Sequence, residues 1–382
     1  LTSVTAAGRA VGCATNPVTG KSQLMLVSED QEISIDKQHS PHQFSADYGT
    51  TQDAKLGAYI DRTGRRMAGL THRPQMPYAF KVVNANYVNA YAFPGGTIGI
   101  TRGILLKMRN EGELAALIGH ELGHVNARHT AEILSKSQLT NLVVGGLAMA
   151  GQSAGYGDLA AQLGMLGSGA LLASYSRDNE RQADALGMQY MVKGGYGPDG
   201  MVGLMDILNQ MNKGRHGYAE LLFSTHPMSS ERYNSAVHTA RSTYAGAKRQ
   251  PLHSERYMDH TAQLRRMEGA IEKMQAGETE LGKKNYTAAQ GLFQTALKEA
   301  PRDYTGLVLM AKCQLAQKKI DAAQGYLKTA RQVYPQEGQA QYLDGYVQLK
   351  KKQDDTAIAR FDAYDKMLPG NAGITFFKGL AY

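Results

Sequence analysis

The sequence predicts a mainly α-helical (α+β) protein: a domain with a small β-sheet, followed by an α-solenoid of helical hairpins. Helix, strand and turn patterns follow one another over residues 54–129. Two histidines four residues apart lie on the last of these helices, and prolines recur every 34 residues near the C-terminus. The chain has 382 residues, of which 42% are hydrophobic and 20% charged, which suits two or three globular domains.

Charge and cysteine content exclude several classes of protein. The net charge of +8 is spread along the chain and is typical of a soluble surface, and no zinc-finger or basic-helix pattern supports nucleic-acid binding. The two cysteines, Cys13 and Cys313, are too far apart for a CxxC site and too few for a disulfide framework. Cys313 lies within a predicted repeat helix and is interpreted as a small buried residue.

Residues 1–52 are predicted to form an N-terminal lead-in. The four residues that end at Cys13 resemble a bacterial lipobox, although Ala10 stands where leucine is usual and Arg9 interrupts the apolar region. We therefore predict an exported protein and leave lipidation of Cys13, which would attach it to a membrane, as an open alternative. Residues 14–52 are polar without periodicity, which predicts an extended or weakly ordered segment.

A compact mixed unit follows the lead-in. Residues 54–70 carry an apolar stripe at helical spacing, and residues 78–84 alternate as a strand does. The turn signal Pro94-Gly95-Gly96 precedes a second strand with alternating Ile98 and Ile100.

Residues 110–129 form the helix on which the functional prediction rests. Asn110 and Glu113 resemble a capping box, and apolar residues recur at helical spacing: Leu114, Leu117, Ile118, Leu122 and Val125. His120 and His124 are four residues apart, so both imidazoles lie on one face and reach a single metal ion. Glu121 is offset by about a quarter turn and reaches a metal-bound water.

Two features argue against a chance match of this short pattern. Gly119 and Gly123 each cost roughly 1 kcal/mol in a helix interior, so they need a compensating reason such as close packing beneath a metal site. A catalytic zinc site also needs a third protein ligand, so an acidic residue or histidine is expected further along the chain.

Glu180 and Asp184 supply the acidic partners. They lie on one face of a predicted helix, where Glu180 would be the third ligand and Asp184 would fix the tautomer of a ligand histidine. The alternative is a solvated acidic face paired with Arg177 and Arg181, and the preceding His-Glu-x-x-His pattern favours the metal site.

These motifs, followed by His-Pro-x-x-x-x-Arg and preceded by Asn-Ala-x-Ala-x-Pro-Gly-Gly-x-Ile, resemble the gluzincin metallopeptidases that include HtpX and the CAAX prenyl proteases. The resemblance covers residues 50–240. It implies one Zn²⁺ per chain with four assigned roles, listed here: ligands His120, His124 and Glu180; general base Glu121; supporting carboxylate Asp184; third-motif catalytic residues His226 and Arg232. His226 is either a fourth ligand in a latched state or a hydrogen-bond donor to the transition state.

The resemblance also implies how substrate binds. The predicted strand that contains Gly96, Thr97, Ile98, Gly99 and Ile100 resembles the family's edge strand, to which an extended substrate adds by main-chain hydrogen bonds. Such recognition favours unfolded or misassembled proteins as substrates. Residues 137–157 lack charges but contain polar residues and glycines, so we predict a buried or membrane-surface helical hairpin rather than a membrane span.

The last third of the chain repeats with the period of tetratricopeptide repeats. Pro301, Pro335 and Pro369 are 34 residues apart, and aligned small and large positions recur with them, among them Ala289, Ala323, Ala357, Phe293, Leu327 and Phe361. Three repeats and the first helix of a fourth are predicted. The predicted boundaries are 53–242 for the peptidase domain, 243–256 for the linker and 257–382 for the repeats.

The combination resembles periplasmic metallopeptidases of the BepA type. It implies an endopeptidase in which Glu121 activates a zinc-bound water, acting in outer-membrane protein quality control of a Gram-negative bacterium. The repeats would hold substrate or dock an envelope complex such as the barrel-assembly machinery, and a lipidated Cys13 would attach the protein to the outer membrane. The competing prediction is a chaperone or scaffold that acts through the repeats and carries a latent zinc site.

Overall fold

The computed structural model describes residues 13–144, 174–214 and 217–382. These residues form a mostly helical protein with two small sheets and a C-terminal array of helical hairpins, which confirms the predicted fold class. The lipobox before Cys13 and the predicted hairpin beyond residue 144 lie outside the described residues. Within the described ranges, no helix combines the length and apolar character needed to cross a bilayer.

The N-terminal segment is more ordered than predicted. Strands β1 (Cys13–Thr15) and β2 (Ser22–Leu24) pair antiparallel, and helix α1 (Glu29–Ala46) follows. The prediction of an extended or weakly ordered segment over residues 14–52 is therefore wrong. Helix α1 escaped prediction because the side chains that it buries are polar: Glu32, Asp36, Ser40, Gln43 and Ser45. Its local signal was the capping box of Ser28 and Gln31.

A three-stranded sheet lies beside the helix that follows α1. The elements are α2 (Ala54–Ala68), β3 (Ala79–Val83), β4 (Ala90–Ala92) and β5 (Thr97–Thr101). The strand order is β3-β5-β4, with β5 parallel to β3 and antiparallel to β4.

This order corrects the predicted substrate strand. The backbone of β5 is hydrogen-bonded on both sides, to β3 from Thr97 to Thr101 and to β4 from Ile98 to Ile100. The predicted substrate residues Gly96, Thr97, Ile98, Gly99 and Ile100 therefore include the central strand and cannot receive an added strand there. Strand β4 lies next to the histidine helix, and its outer side pairs with no other described strand.

In the described ranges up to residue 241, seven helices then follow: α3 (Arg102–Lys107), α4 (Glu111–Asn126), α5 (His129–Val144), α6 (Arg177–Lys193), α7 (Asp199–Gly214), α8 (Glu220–Thr225) and α9 (Ser230–Arg241). Helix α4 is the histidine helix and packs closely on α6. A Cβ atom at Gly119 would lie 2.8 Å from the carbonyl oxygen of Gly187, and one at Gly123 would lie 2.9 Å from Ala183. The two glycines therefore permit this helix contact, the compensating reason that the sequence requires.

Helix α10 (Ser254–Arg265) leads into the repeats. The N–H of Gly112 donates to the carbonyl oxygen of Leu252 at 3.0 Å, and Arg256 pairs with Glu111 at 2.5 Å. Residues 243–256, predicted as a linker, thus hold the N-terminal end of α4.

The repeats form hairpins from α11 (Glu268–Gly282), α12 (Tyr286–Glu299), α13 (Tyr304–Ala316), α14 (Ile320–Val333), α15 (Gly338–Lys350), α16 (Asp354–Met367) and α17 (Ala372–Ala381). The aligned positions are buried as the 34-residue period predicts: Ala289, Ala323, Ala357, Phe293, Leu327 and Phe361. Cys313 is also buried, as predicted. One continuous apolar core joins the hairpins to the part of the chain that carries the three-stranded sheet.

Candidate metal centre

Helix α4 is buried along its whole length, and both of its ends are anchored. Asn110 caps the first turn by accepting from the N–H of Glu113. The Glu111 carboxylate accepts from the Tyr59 hydroxyl at 2.8 Å and from Arg256. At the other end, the side chain of Asn126 accepts from the N–H of Arg73 at 2.7 Å. These contacts fix the rotation of the helix, so the histidine face points towards α6.

Four side chains from three parts of the chain converge on this face. His120 and His124 come from α4, Glu180 from α6 and His226 from the residue that follows α8. One ligand atom from each of the four lies within 4.8 Å of those of the other three. All four side chains are buried, so the structure brings together the predicted ligands and the third-motif histidine.

The distances in this cluster suit a shared cation. The Nε2 atoms of His120 and His124 are 3.0 Å apart, and Nε2 of His120 is 3.3 Å from Nδ1 of His226. The carboxylate of Glu180 lies 3.3 Å from His124 Nε2 and 3.0 Å from His226 Nδ1. Imidazole nitrogens and a carboxylate that converge at one point are the donor set that zinc prefers.

The pKa shifts of two of the four groups, His124 and Glu180, also suit a metal. Burial lowers the pKa of His124 well below its usual value, so this imidazole stays neutral with a free lone pair. Burial would raise the pKa of Glu180, but the charges of His226 and His120 outweigh it and hold the pKa well below the usual range. A neutral imidazole and an ionised carboxylate are the forms in which these groups bind metals.

Glu121 lies beside the four converging groups. Its side chain is buried, and its Oε2 atom has no hydrogen-bond partner among the described residues. Burial raises the pKa of Glu121 above that of an exposed glutamate, which makes this carboxylate a better proton acceptor. A buried acceptor without a donor requires a ligand or water.

Asp184 and Arg232 hydrogen-bond or ion-pair with two of the converging groups, His120 and Glu180. Nδ1 of His120 donates to Oδ1 of Asp184 at 2.9 Å, the contact that the sequence predicts. Arg232 donates to both oxygens of Asp184, at 2.7 and 2.8 Å, and its Nη1 lies 2.6 Å from Glu180. Arg232 is 5% exposed and its guanidinium contacts both of these carboxylates, an arrangement that suits positioning them. Its catalytic role, implied by the sequence resemblance, stays a prediction.

Comparison with known proteins now adds an independent observation. Residues 54–240 match peptidase family M48, and residues 280–345 match the tetratricopeptide repeat. The chain contains a peptidase family M48 domain. The match to this metallopeptidase family implies a metal, and the cluster of His120, His124, Glu180 and His226 lies within the matched residues.

Several curated relatives share the M48 region. The beta-barrel assembly-enhancing protease of Yersinia pestis is 30% identical over 231 residues, 59% of this chain and 47% of the relative. Metalloprotease YcaL of Escherichia coli is 34% identical, covering 41% of this chain and 59% of the relative. The mitochondrial metalloendopeptidase OMA1 of Schizosaccharomyces pombe is 30% identical, covering 46% and 50%. The chain thus spans about half the length of the curated relatives that it matches.

Two neighbours of His124 in the M48 domain were not predicted from the sequence. His129 places its Nδ1 2.9 Å from that of His124, and its Nε2 lies 3.0 Å from Gln182. Tyr175 stacks on the His124 ring at a centroid distance of 3.7 Å. His129 follows the second histidine by five residues, a spacing that places it just beyond the end of α4. Tyr175 offered no such signal, because the contact joins distant parts of the chain.

Asn89, directly before β4, was also missed as an individual site residue. Its side chain is fully buried, and neither its amide nitrogen nor its amide oxygen has a hydrogen-bond partner among the described residues. The sequence placed it in the strand motif without assigning it a role. A buried, unpartnered amide directly before an edge strand has donor and acceptor groups left for a ligand.

Proposed function

We propose that this protein is a zinc-dependent endopeptidase that cleaves unfolded or misassembled proteins of the bacterial envelope. The observation that carries the proposal is the convergence of three histidines and a glutamate beside the unpartnered oxygen of Glu121. The match of residues 54–240 to peptidase family M48 supports peptide-bond hydrolysis as the reaction.

The residues of the site divide into ligands and a proton carrier. His120, His124 and Glu180 would hold Zn²⁺, which when bound polarises the scissile carbonyl and makes water more acidic. The carboxylate of Glu121 accepts a proton from the attacking water at its free oxygen and returns it to the leaving amine. Because this carboxylate is buried, solvent does not compete for that proton.

The outer edge of β4 is the proposed substrate-binding surface. An extended polypeptide would add there by main-chain hydrogen bonds, and the free amide of Asn89 would bind the same backbone. Main-chain recognition requires an extended chain and reads few side chains. Unfolded segments satisfy that requirement, whereas folded proteins do not.

His226 is proposed as a fourth ligand in a resting state. It lies within the ligand cluster, with Nδ1 3.0 Å from Glu180, and its Nε2 is 4.0 Å from Oε1 of Glu121. In this position the imidazole occupies space that an attacking water needs. Withdrawal of His226 would open the site to substrate.

The repeats and the relatives support the proposed setting. A relative is named for enhancing β-barrel assembly, which agrees with a periplasmic protein that acts on outer-membrane proteins. Attachment to the outer membrane through lipidated Cys13 is part of the same proposal. The repeats would hold a substrate or dock an envelope complex.

The decisive experiment is digestion of unfolded casein by the zinc-loaded protein, with and without a chelator. We expect chelator-sensitive cleavage, and we expect Glu121→Gln to lower its rate by about 10²- to 10⁴-fold while the zinc content stays unchanged. Cleavage that persists in the Glu121→Gln variant would refute the assignment of the base. A matched control is Glu231→Gln, which changes an exposed glutamate near the site.

A second outcome separates the enzyme from the scaffold. Absence of chelator-sensitive cleavage in both the native protein and His226→Ala, with zinc bound, would favour a chaperone or scaffold that acts through its repeats. Prevention of aggregation by both proteins would then be the activity to measure.

A further inference from the structure

A short segment at the C-terminal end of α1 lies between the β3-β5-β4 sheet and the repeats. We name residues 45–49 the tether. Tyr48 and Gly49 have φ angles of 65° and 76°, so two successive residues adopt the left-handed conformation. A tyrosine rarely adopts this conformation, and it persists where surrounding contacts hold it. The contacts come from both sides.

The repeats hold the tether through polar groups. Ser45 donates a short hydrogen bond to the Glu337 carboxylate, which also accepts from the Tyr304 hydroxyl. The amide of Gln339 donates to the carbonyl oxygens of Ser45, at 3.0 Å, and Ala46, at 3.3 Å. The repeats therefore bind main-chain and hydroxyl groups of the tether, as a binding protein binds a peptide.

Two further contacts bring the tether into close approach with the repeats. The ammonium group of Lys312 lies 4.8 Å from the centre of the Tyr48 ring. A Cβ atom at Gly49 would lie 2.7 Å from both Glu337 and Tyr334, so any larger residue would push the tether and the repeats apart.

On its other side the tether holds β4. The Tyr91 hydroxyl of β4 donates to Oδ2 of Asp47 at 2.5 Å, and the Tyr87 hydroxyl donates to Oδ1 at 2.7 Å. The Tyr91 ring also lies over Gly99 of β5, where a Cβ atom would come within 2.5 Å. Asp47 is 4% exposed, so water does not replace these bonds. The position of Asp47 therefore constrains β4.

Helix α1 adds little apolar burial to this attachment. Its buried side chains are polar, and Asp36 accepts from the N–H of Thr97 at 2.8 Å. Attachment by hydrogen bonds can be exchanged for equivalent bonds to another polypeptide, since the gain from each bond is small and similar in both complexes.

We propose that the tether is an internal ligand of the repeats, and that a polypeptide bound at Lys312, Glu337 and Gln339 displaces it and loosens β4. The occupant is an extended segment that offers a hydroxyl and main-chain carbonyl groups, like the tether itself. Binding to the repeats is thereby coupled to the strand that receives substrate. The last link rests on the proposed function of β4, whereas the tether contacts do not.

Hydrogen exchange of the whole protein, measured by mass spectrometry, tests the coupling without relying on activity. Gly49→Ala should raise exchange in residues 87–92 by about tenfold or more, because hydrogen bonds to a buried charged group are lost. Gly20→Ala is the matched control: Gly20 also has a positive φ, 68°, but has no neighbour within 4 Å of an added Cβ atom. It should leave residues 87–92 unchanged.

A second pair of variants covers a failure of Gly49→Ala to fold. Glu337→Ala removes the partner of Ser45, and Asp344→Ala removes a buried carboxylate of the repeats that pairs with Arg331 and Arg360 instead. Only Glu337→Ala should raise exchange in residues 87–92. Faster exchange confined to the tether or the repeats would overturn the coupling.

A synthetic peptide with the sequence of residues 43–50 tests displacement directly. Added in excess to the native protein, it should raise exchange in residues 87–92, and Gln339→Leu should weaken that effect. No effect of the peptide on either the tether or residues 87–92 would refute the internal-ligand proposal. Casein cleavage measured in parallel separates the internal-ligand proposal from the proposed peptidase function. If the variants and the peptide change exchange as expected but the native protein does not cleave casein, only the proposed function is contradicted.

Discussion

The metal centre and the contacts around the tether are both buried and polar, but they differ in how their carboxylate oxygens are satisfied. Both oxygens of Asp47 accept hydroxyl hydrogens, and the Glu337 carboxylate accepts from Ser45 and Tyr304. At the metal centre, by contrast, Oε2 of Glu121 has no partner among the described residues. A saturated carboxylate positions its neighbours, whereas an unsaturated one is available for a ligand or a proton.

The two sites also differ in how the charge of their carboxylates is compensated. In the metal centre, histidines and Arg232 surround Glu180 and keep it ionised. Around Asp47 the donors are the hydroxyls of Tyr87 and Tyr91 and an amide, and burial raises its pKa to about 6. The first arrangement suits a cation site, and the second suits a carboxylate that holds neighbouring hydroxyl groups in place.

The largest effect should come from removing the carboxylate of the metal centre. Glu180→Gln should weaken zinc binding by roughly 100-fold or more, beyond the range expected for an outer partner of a ligand. Zinc content after dialysis against a graded chelator series measures this. Asp178→Asn on the same helix is the control, since its side chain is 85% exposed. Equal zinc affinity in both variants would contradict the ligand assignment.

A smaller effect should distinguish the two roles of His226. If the resting protein is mainly latched, His226→Ala should raise casein cleavage by about tenfold, because more molecules then have an open site. The measurement is the initial rate at saturating zinc. A lower rate would instead assign His226 as a donor to the transition state.

The smallest effect concerns how Asp47 of the tether makes the free energy of unfolding depend on pH. Burial raises the pKa of Asp47 from 3.8 to about 6, so between these values the folded state holds more protons than the unfolded state. The stabilisation from this group is therefore present at low pH and is lost as pH rises through 6.

Relative to Asp47→Asn, the native protein should lose about 1 kcal/mol of unfolding free energy between pH 5 and pH 7. Urea unfolding at the two pH values measures the difference. Asp355→Asn, which changes an exposed aspartate, should keep the pH dependence of the native protein. A constant difference between the native protein and Asp47→Asn would show that Asp47 does not titrate in this range.

Much of the metal centre was predictable because its signals are local. The four-residue spacing of His120 and His124 fixes their common face through helix geometry alone. The 34-residue period likewise determined the repeats, since each hairpin packs on its neighbours in the chain. Gly119 and Gly123 indicated close packing, although not the identity of the partner helix.

Tertiary structure decided the features whose partners are distant in the sequence. Strand order placed β5 in the centre of its sheet and left an edge on β4, which no alternation of side chains reveals. The contacts of Arg232 with Asp184 and Glu180 join residues about 50 positions apart, so sequence spacing did not reveal them. Helix α1 lacked an apolar stripe because Arg73 and Thr97 of the peptidase region hydrogen-bond its buried face. The sequence by itself thus determined which residues repeat at helical and hairpin spacing, and only tertiary contacts decided how their polar groups are satisfied.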